Sequence, residues 1–387
     1  MKRFLAALLA LLTLCGTLTA LAEDTAALDA AIEKILRRHK ASCATVMAAK
    51  DGQVVYTFHY GLKDRKQKLP VDSETFFKIA SVSKMVTGIR VMMLVEEGLL
   101  DLDTDISTYL GYKVVNPYYP KKPLTLRMLM SHTSSIKSSG GYSNEKNPLS
   151  AIISSEVKKQ SGNFYKETPG SVYRYSNFGA GIMGSLMEAV TGRNLNDVLQ
   201  DLFEPLGIEG GYYPSLLNEA DVQPVFSKGG VTHISKKSLL ASGVYNGEVN
   251  PEMHYRICYG RVYIRARDLL KLGIMLCQGG EVDGVRVLKE ETVQLMCSSQ
   301  LGKGGVTIDS PYGLCVNMMD NLVKGRIIYG HQGLLTDQVY NCYFDPESGF
   351  VFVLMGNGVN SSMRDHIAVV ARNCFDPLWK AFVEESP

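Results

Sequence analysis

Strand-like sequence sits at both ends of this 387-residue chain, with helical and loop-rich sequence between. That layout joins the two termini in one sheet and leaves the middle as an insertion beside it. Near the N-terminus, Cys43 to Ala49 and Gln53 to Gly61 read as a hairpin around Asp51-Gly52, where glycine supplies the positive φ of a tight turn. Near the C-terminus, Arg326 to Tyr329, Gln338 to Phe344 and Phe350 to Met355 read as strands, the last two joined through Asp345-Pro346-Glu347-Ser348-Gly349. Residues 26–40 form an amphipathic helix, with Leu28, Ile32, Ile35 and Leu36 at helical spacing. A last helix, about Ser362 to Phe382, carries the only tryptophan, Trp379. The fold class expected is therefore α/β: an antiparallel sheet built from both chain ends and flanked by the terminal helices. Residues 23–84 and 291–387 make up that part, and residues 85–290 a mainly helical part.

The first 22 residues have the three-part layout of a secretory signal: Lys2-Arg3, an apolar run from Phe4 to Leu14, then Ala20-Leu21-Ala22 as the cleavage site. The run is too short to span a bilayer comfortably. Leu14, bulky where a small residue is wanted, argues against lipidation of Cys15. A secreted or extracytoplasmic protein without a stable membrane span is expected. Without the leader, 39 Lys and Arg balance 39 Asp and Glu, and no basic run stands out. That balance excludes the electrostatic footprint of a nucleic-acid binder. Seven cysteines remain, an odd number, with no Cys-x-x-Cys string to suggest zinc or a redox pair. Neither a metal nor an organic cofactor is expected.

Ser81 and Lys84 lie three apart where an extended segment, Thr75 to Ala80, runs into a helix that is apolar on nearly every face, Met85 to Glu97. Side chains at that spacing share a face. Burial and the positive end of the helix both disfavour an ammonium, which suits Lys84 to act as a base and Ser81 as a nucleophile. The spacing alone carries little, because Ser134/Lys137, Ser143/Lys146 and Ser155/Lys158 share it in a polar, irregular stretch. The bland reading makes Ser81 a helix cap and Lys84 a solvated first-turn residue. Tyr175-Ser176-Asn177 follows Pro169-Gly170 and opens a helix, whereas its copy Tyr142-Ser143-Asn144 sits in the irregular stretch. His331-Gln332-Gly333 follows the strand Ile327 to Tyr329; its copy His59-Tyr60-Gly61 ends the first hairpin.

In this order, the three segments resemble the penicillin-recognising serine hydrolases, the branch with class C β-lactamases, D-alanyl-D-alanine carboxypeptidases and related esterases. Leu124 to Ser134, Pro169-Gly170 and Phe203-Glu204-Pro205-Leu206-Gly207 fit the same branch. The resemblance covers essentially the whole mature chain and implies a β-lactamase/transpeptidase-like fold. It implies that Ser81 attacks a carbonyl to form an acyl-enzyme, with Lys84 and Tyr175 sharing the base work and Tyr175 returning a proton to the leaving group. Asn177 is expected to hold Lys84 and the substrate amide. The resemblance further implies that the backbone N–H groups of Ser81 and Leu334 form the oxyanion hole, beside Gly333, and that His331 adds positive or hydrogen-bonding character.

Departures narrow the expectation. Relatives carry Lys-Thr-Gly or His-Thr-Gly at the third element, the threonine gripping a substrate carboxylate; Gln332 here weakens the case for a carboxylate-terminated substrate. His331 in place of lysine leans away from an efficient class C β-lactamase. There is no Glu-x-x-Leu-Asn, His-Glu-x-x-His or Gly-x-Ser-x-Gly string. The expected activity is hydrolysis of an amide or ester: a D-amino-acid peptide derived from peptidoglycan, a β-lactam or a small ester. The alternatives are a non-catalytic or slow penicillin-binding or sensor module and an acyl transferase using the same residues.

Overall fold

The computed structural model describes residues 25–138, 142, 144, 146–158, 160–301 and 311–385. The leader expected over residues 1–22 and the decoy Ser143 lie outside the described residues. An N-terminal helix, α1 (residues 25–38), precedes the hairpin β1 (Cys43–Lys50) and β2 (Gln53–Asp64). Asp51 and Gly52, at φ of 52° and 80°, make its turn. A short β3 (Leu69–Pro70) extends that edge. The C-terminal half supplies β4 (Asn317–Met319), β5 (Ile328–Leu335), β6 (Gln338–Asp345) and β7 (Phe350–Asn357). The sheet order is β4-β5-β6-β7-β1-β2-β3, every pair antiparallel. The β1–β7 pairing joins the two ends of the chain as expected, with Cys43 opposite Asn357 and Lys50 opposite Phe350.

Alternation along β1 shows why these strands read as continuously apolar. Cys43, Met47 and Ala49 enter the core beneath α2 (Val82–Glu96), α3 (Asn177–Thr191) and α4 (Ala266–Cys277). Ala44, Val46 and Ala48 enter a second core against α1 and α5 (Val369–Trp379), where Ile32, Leu36, Phe375 and Trp379 pack. Both faces are covered, so neither face of the strand needs polar residues.

Two differences from expectation bear on the site. The C-terminal helix starts at Val369, because Met363–Arg364 and Ile367–Ala368 first form a small hairpin. Its turn residues Asp365 and His366 sit at φ of 50° and 62° without the glycine that marks such turns in sequence. The part between the sheet halves is less helical than expected and includes a three-stranded sheet of Phe76–Lys78, Tyr263–Arg265 and Gly210–Gly211. That sheet holds the segment leading into Ser81. All seven cysteines of the described chain are unpaired, and six are buried.

Candidate active site

Ser81 occupies the cap position of α2, preceded by Ala80 at φ 46°, an orientation that L-residues adopt at a cost. Its side chain makes no capping hydrogen bond, which removes the bland reading of this serine. The helix behind it is buried over most of its length, and Lys84 is fully enclosed. Lys84 Nζ lies 3.0 Å from Ser81 Oγ and 2.8 Å from the Tyr259 carbonyl oxygen. Tyr175 and Tyr259 flank it, their ring centres 5.0 and 5.4 Å away. No carboxylate among the described residues pairs with it. Burial therefore dominates and lowers its pKa to about 7, although the nearby thiols of Cys258 and Cys315 oppose the shift.

Tyr175 arrives from the loop before α3. The residue is 38% exposed, yet its phenol is desolvated, and burial raises its pKa despite an opposing hydrogen bond with Ser81. The phenol thus stays protonated at neutral pH, poised to give a proton rather than take one. Ser176 beside it is a structural cap: its hydroxyl accepts from Gly179 N at 2.9 Å. Asn177 lines the cleft but does not hold Lys84; its Oδ1 has no partner, because the Tyr259 carbonyl takes that role.

The third element lies on β5 and passes close to the nucleophile. A Cβ on Gly333 would fall 2.4 Å from the Ile79 carbonyl oxygen and 3.0 Å from Ser81 N, so only glycine allows this approach. Leu334 follows immediately and lines the same cleft. Val82 N and Ser83 N bond back to Ile79 and Ala80, whereas the N–H of Ser81 is not spent on that turn. Two backbone donors of this kind are worth about 3 kcal/mol each toward a developing oxyanion.

His331 corrects an expectation. It is buried, with Nε2 at 3.0 Å from the Tyr312 hydroxyl and Nδ1 at 2.7 Å from the Gln332 carbonyl oxygen. Burial first, then the charge of Lys84, lowers its pKa to about 3. It is neutral and supplies no positive charge to the cleft. Since a carbonyl only accepts, Nδ1 carries the proton and Nε2 accepts from Tyr312.

Sequence reasoning missed the part played by His132, which lies within the Leu124 to Ser134 stretch. Its carbonyl accepts from Arg174 N at 2.8 Å and its ring Nδ1 accepts from Ser176 N at 3.2 Å, so one residue brackets Tyr175 from both sides. Its ring centre is 4.3 Å from that of Tyr175 and 4.9 Å from that of Tyr312. Burial first, then the charge of Lys84, keeps it neutral, as the Ser176 bond requires. Its strained φ of 55° could not be seen in the sequence. His132→Phe keeps a ring but loses the acceptor, and is expected to lower turnover ~10–100-fold with KM little changed. His132→Asn, which offers an oxygen in place of Nδ1, should recover part of the loss.

The decoys are dispersed. Lys158 and Ser155 are exposed, Lys137 lies over the Tyr165 ring, and His59 bonds Thr45 on the β1–β2 hairpin. A cavity of about 350 Å³ gathers Ser81, Tyr175, Asn177, His331, Gln332 and Leu334. A larger one, about 830 Å³, lies at the other end of β5 against Cys297, Arg326 and Asp345 and contains none of these residues.

Similarity to known proteins agrees with this geometry. The chain is 28% identical over 304 residues to Penicillin-binding protein 4 of Amycolatopsis lactamdurans, covering 77% of this chain and 76% of that protein. It is 27% identical over 168 residues to Protein flp of Staphylococcus aureus (strain MRSA252), covering 42% of this chain. The match spans only about a third of Protein flp's length. The octameric penicillin-binding protein homologue from Pyrococcus abyssi superposes with a TM-score of 0.72 at 21% identity, over 91% of this chain and 77% of its own. The fold is thus the mixed α/β, β-lactamase/transpeptidase-like one expected. Residues 28–373 match the sequence model of the family described as Beta-lactamase, and the chain belongs to that family of serine hydrolases.

Proposed function

We propose that the protein is an exported hydrolase that cleaves an amide or ester through an acyl-enzyme on Ser81. The observation that carries this reading is the 3.0 Å approach of a fully buried lysine, with no carboxylate partner among the described residues, to the Ser81 hydroxyl. As Oγ attacks the carbonyl carbon, neutral Lys84 takes the hydroxyl proton, and the N–H groups of Ser81 and Leu334 receive the oxyanion. When the tetrahedral adduct collapses, the leaving group departs with the Tyr175 phenol proton, which Lys84 restores. Water then attacks the acyl carbon by the same route in reverse. Lys84 is thus the base and Tyr175 the acid.

Incubation of the mature protein with a fluorophosphonate, read by intact mass, beside turnover of an uncharged ester, tests the reading. One adduct per chain and turnover of the ester are expected; a binding or sensor module gives no adduct, or labels without turning over. The pH profile is a second check. Lys84 must be neutral to accept the proton, and its pKa is lowered to about 7. Acylation should therefore rise as pH increases through about 7 and level off above it. A rate flat from pH 5 to 9 removes Lys84 as the base.

A further inference from the structure

Gln332 stands where relatives place a small hydroxyl residue, and its side chain is already occupied. Nε2 donates to the carbonyl oxygen of His366, in the turn of the Met363–Ala368 hairpin. The preceding carbonyl in the same turn, Asp365, accepts from Asn321 Nδ2 at 2.8 Å. Two amide side chains from the sheet side thus clamp consecutive carbonyls of a turn held at positive φ. The clamped hairpin forms one wall of the cleft, through Met363, His366 and Ile367.

The clamp fixes what the wall can accept. The His366 carbonyl can only accept, so the amide is oriented with Nε2 toward it. Oε1 is left as the other polar atom of Gln332, buried and without a hydrogen-bond partner among the described residues. Met319, Leu334, Met363 and Ile367 make the lining here largely apolar, with Asn317 and His366 as polar side chains beside them. Among the described residues no Lys or Arg lines the cavity; Lys84 lies buried behind Ser81, and His331 has both ring nitrogens engaged. A carboxylate placed here finds no Lys or Arg counter-charge among the described residues, and Gln332 Nε2 is already turned to the His366 carbonyl, which is unfavourable when desolvated. An uncharged group, or one presenting an N–H or O–H to Oε1, meets no such opposition.

We infer that Gln332 is a specificity-determining residue: by pinning the 363–368 hairpin it makes the cleft select esters and amides whose leaving group is uncharged, against carboxylate-bearing ones. The inference rests on the acyl-enzyme reading and refines it. It is tested with two thioesters that share a phenylacetyl group, one releasing thioglycolate and the other its methyl ester, with thiol release followed at pH 8.

The wild-type protein should favour the methyl ester at least ~10-fold in kcat/KM, about 1.4 kcal/mol of discrimination. Gln332→Thr should bring the two substrates within ~3-fold of each other. Equal rates in the wild type, or a full wild-type preference in Gln332→Thr, overturn the inference. If Gln332→Thr does not fold, Asn321→Ala removes the other clamp from outside the cleft. It should narrow the preference measurably, and an unchanged ratio there overturns the inference equally. Fluorophosphonate labelling of the same samples separates the two claims. Labelled protein without discrimination defeats the specificity alone; no label and no turnover defeat the hydrolase reading itself.

Discussion

Ser81→Ala is expected to abolish covalent labelling and to lower turnover by ~10³–10⁶-fold, the range seen when a nucleophile is removed from a serine hydrolase. The loss should come without unfolding. Ser81 caps α2 by position only, its hydroxyl accepting no backbone N–H, so alanine forfeits none of the ~1 kcal/mol that a true cap contributes. It also relieves Lys84 of a single neutral partner while leaving the Tyr259 carbonyl in place. A thermal midpoint within a few degrees of wild type is the control. Ser134→Ala, Ser143→Ala and Ser155→Ala should keep the label. Ser134 is buried with its Oγ near Ile136 N at 3.4 Å, and Ser155 is exposed; neither has a desolvated lysine beside it. Labelling that survives in Ser81→Ala and vanishes in one of these three would move the nucleophile and end the present mechanism.

What could be read from the sequence divides along physical lines. The sheet was legible because its strands are bounded by turns with strong local signatures, such as Asp51-Gly52, and because burial on both faces leaves long apolar runs. Ser81, Lys84 and Tyr175 were legible through context: each sits where an extended segment or loop meets a helix, and the decoys do not. The Asp365-His366 turn was not legible: Asp and His tolerate positive φ, but no glycine marks the turn and it interrupts a stretch that reads as one helix. The neutrality of His331 was equally hidden. It follows from Tyr312, nineteen residues away, and from a backbone carbonyl, neither of which has a sequence signal. Asn177 illustrates a third kind of miss. Its proposed grip on Lys84 came from resemblance, and in this chain the Tyr259 carbonyl occupies the place instead. Local chemistry is written locally, whereas charge state and partner choice are set by residues brought together only in the fold.

Tyr175→Phe should lower turnover of an amide or alkyl ester by ~10²–10⁴-fold with little change in KM, because only a proton donor is lost. The ring keeps its contacts, 4.3 Å to His132 and 5.0 Å to Lys84 Nζ, so the loop and the lysine have no reason to move. The size of the loss should depend on the leaving group. An amine or alkoxide leaves only if protonated, so it needs the phenol that burial keeps in its acid form. A nitrophenolate leaves unprotonated and should feel the substitution far less. Measured on a matched nitrophenyl ester and anilide, the loss is therefore expected to be at least ~10-fold greater for the anilide. If both substrates fall equally, the hydroxyl serves position or the attack step rather than departure. If neither falls, Tyr175 takes no part in proton transfer and Lys84 must carry both halves of the cycle alone.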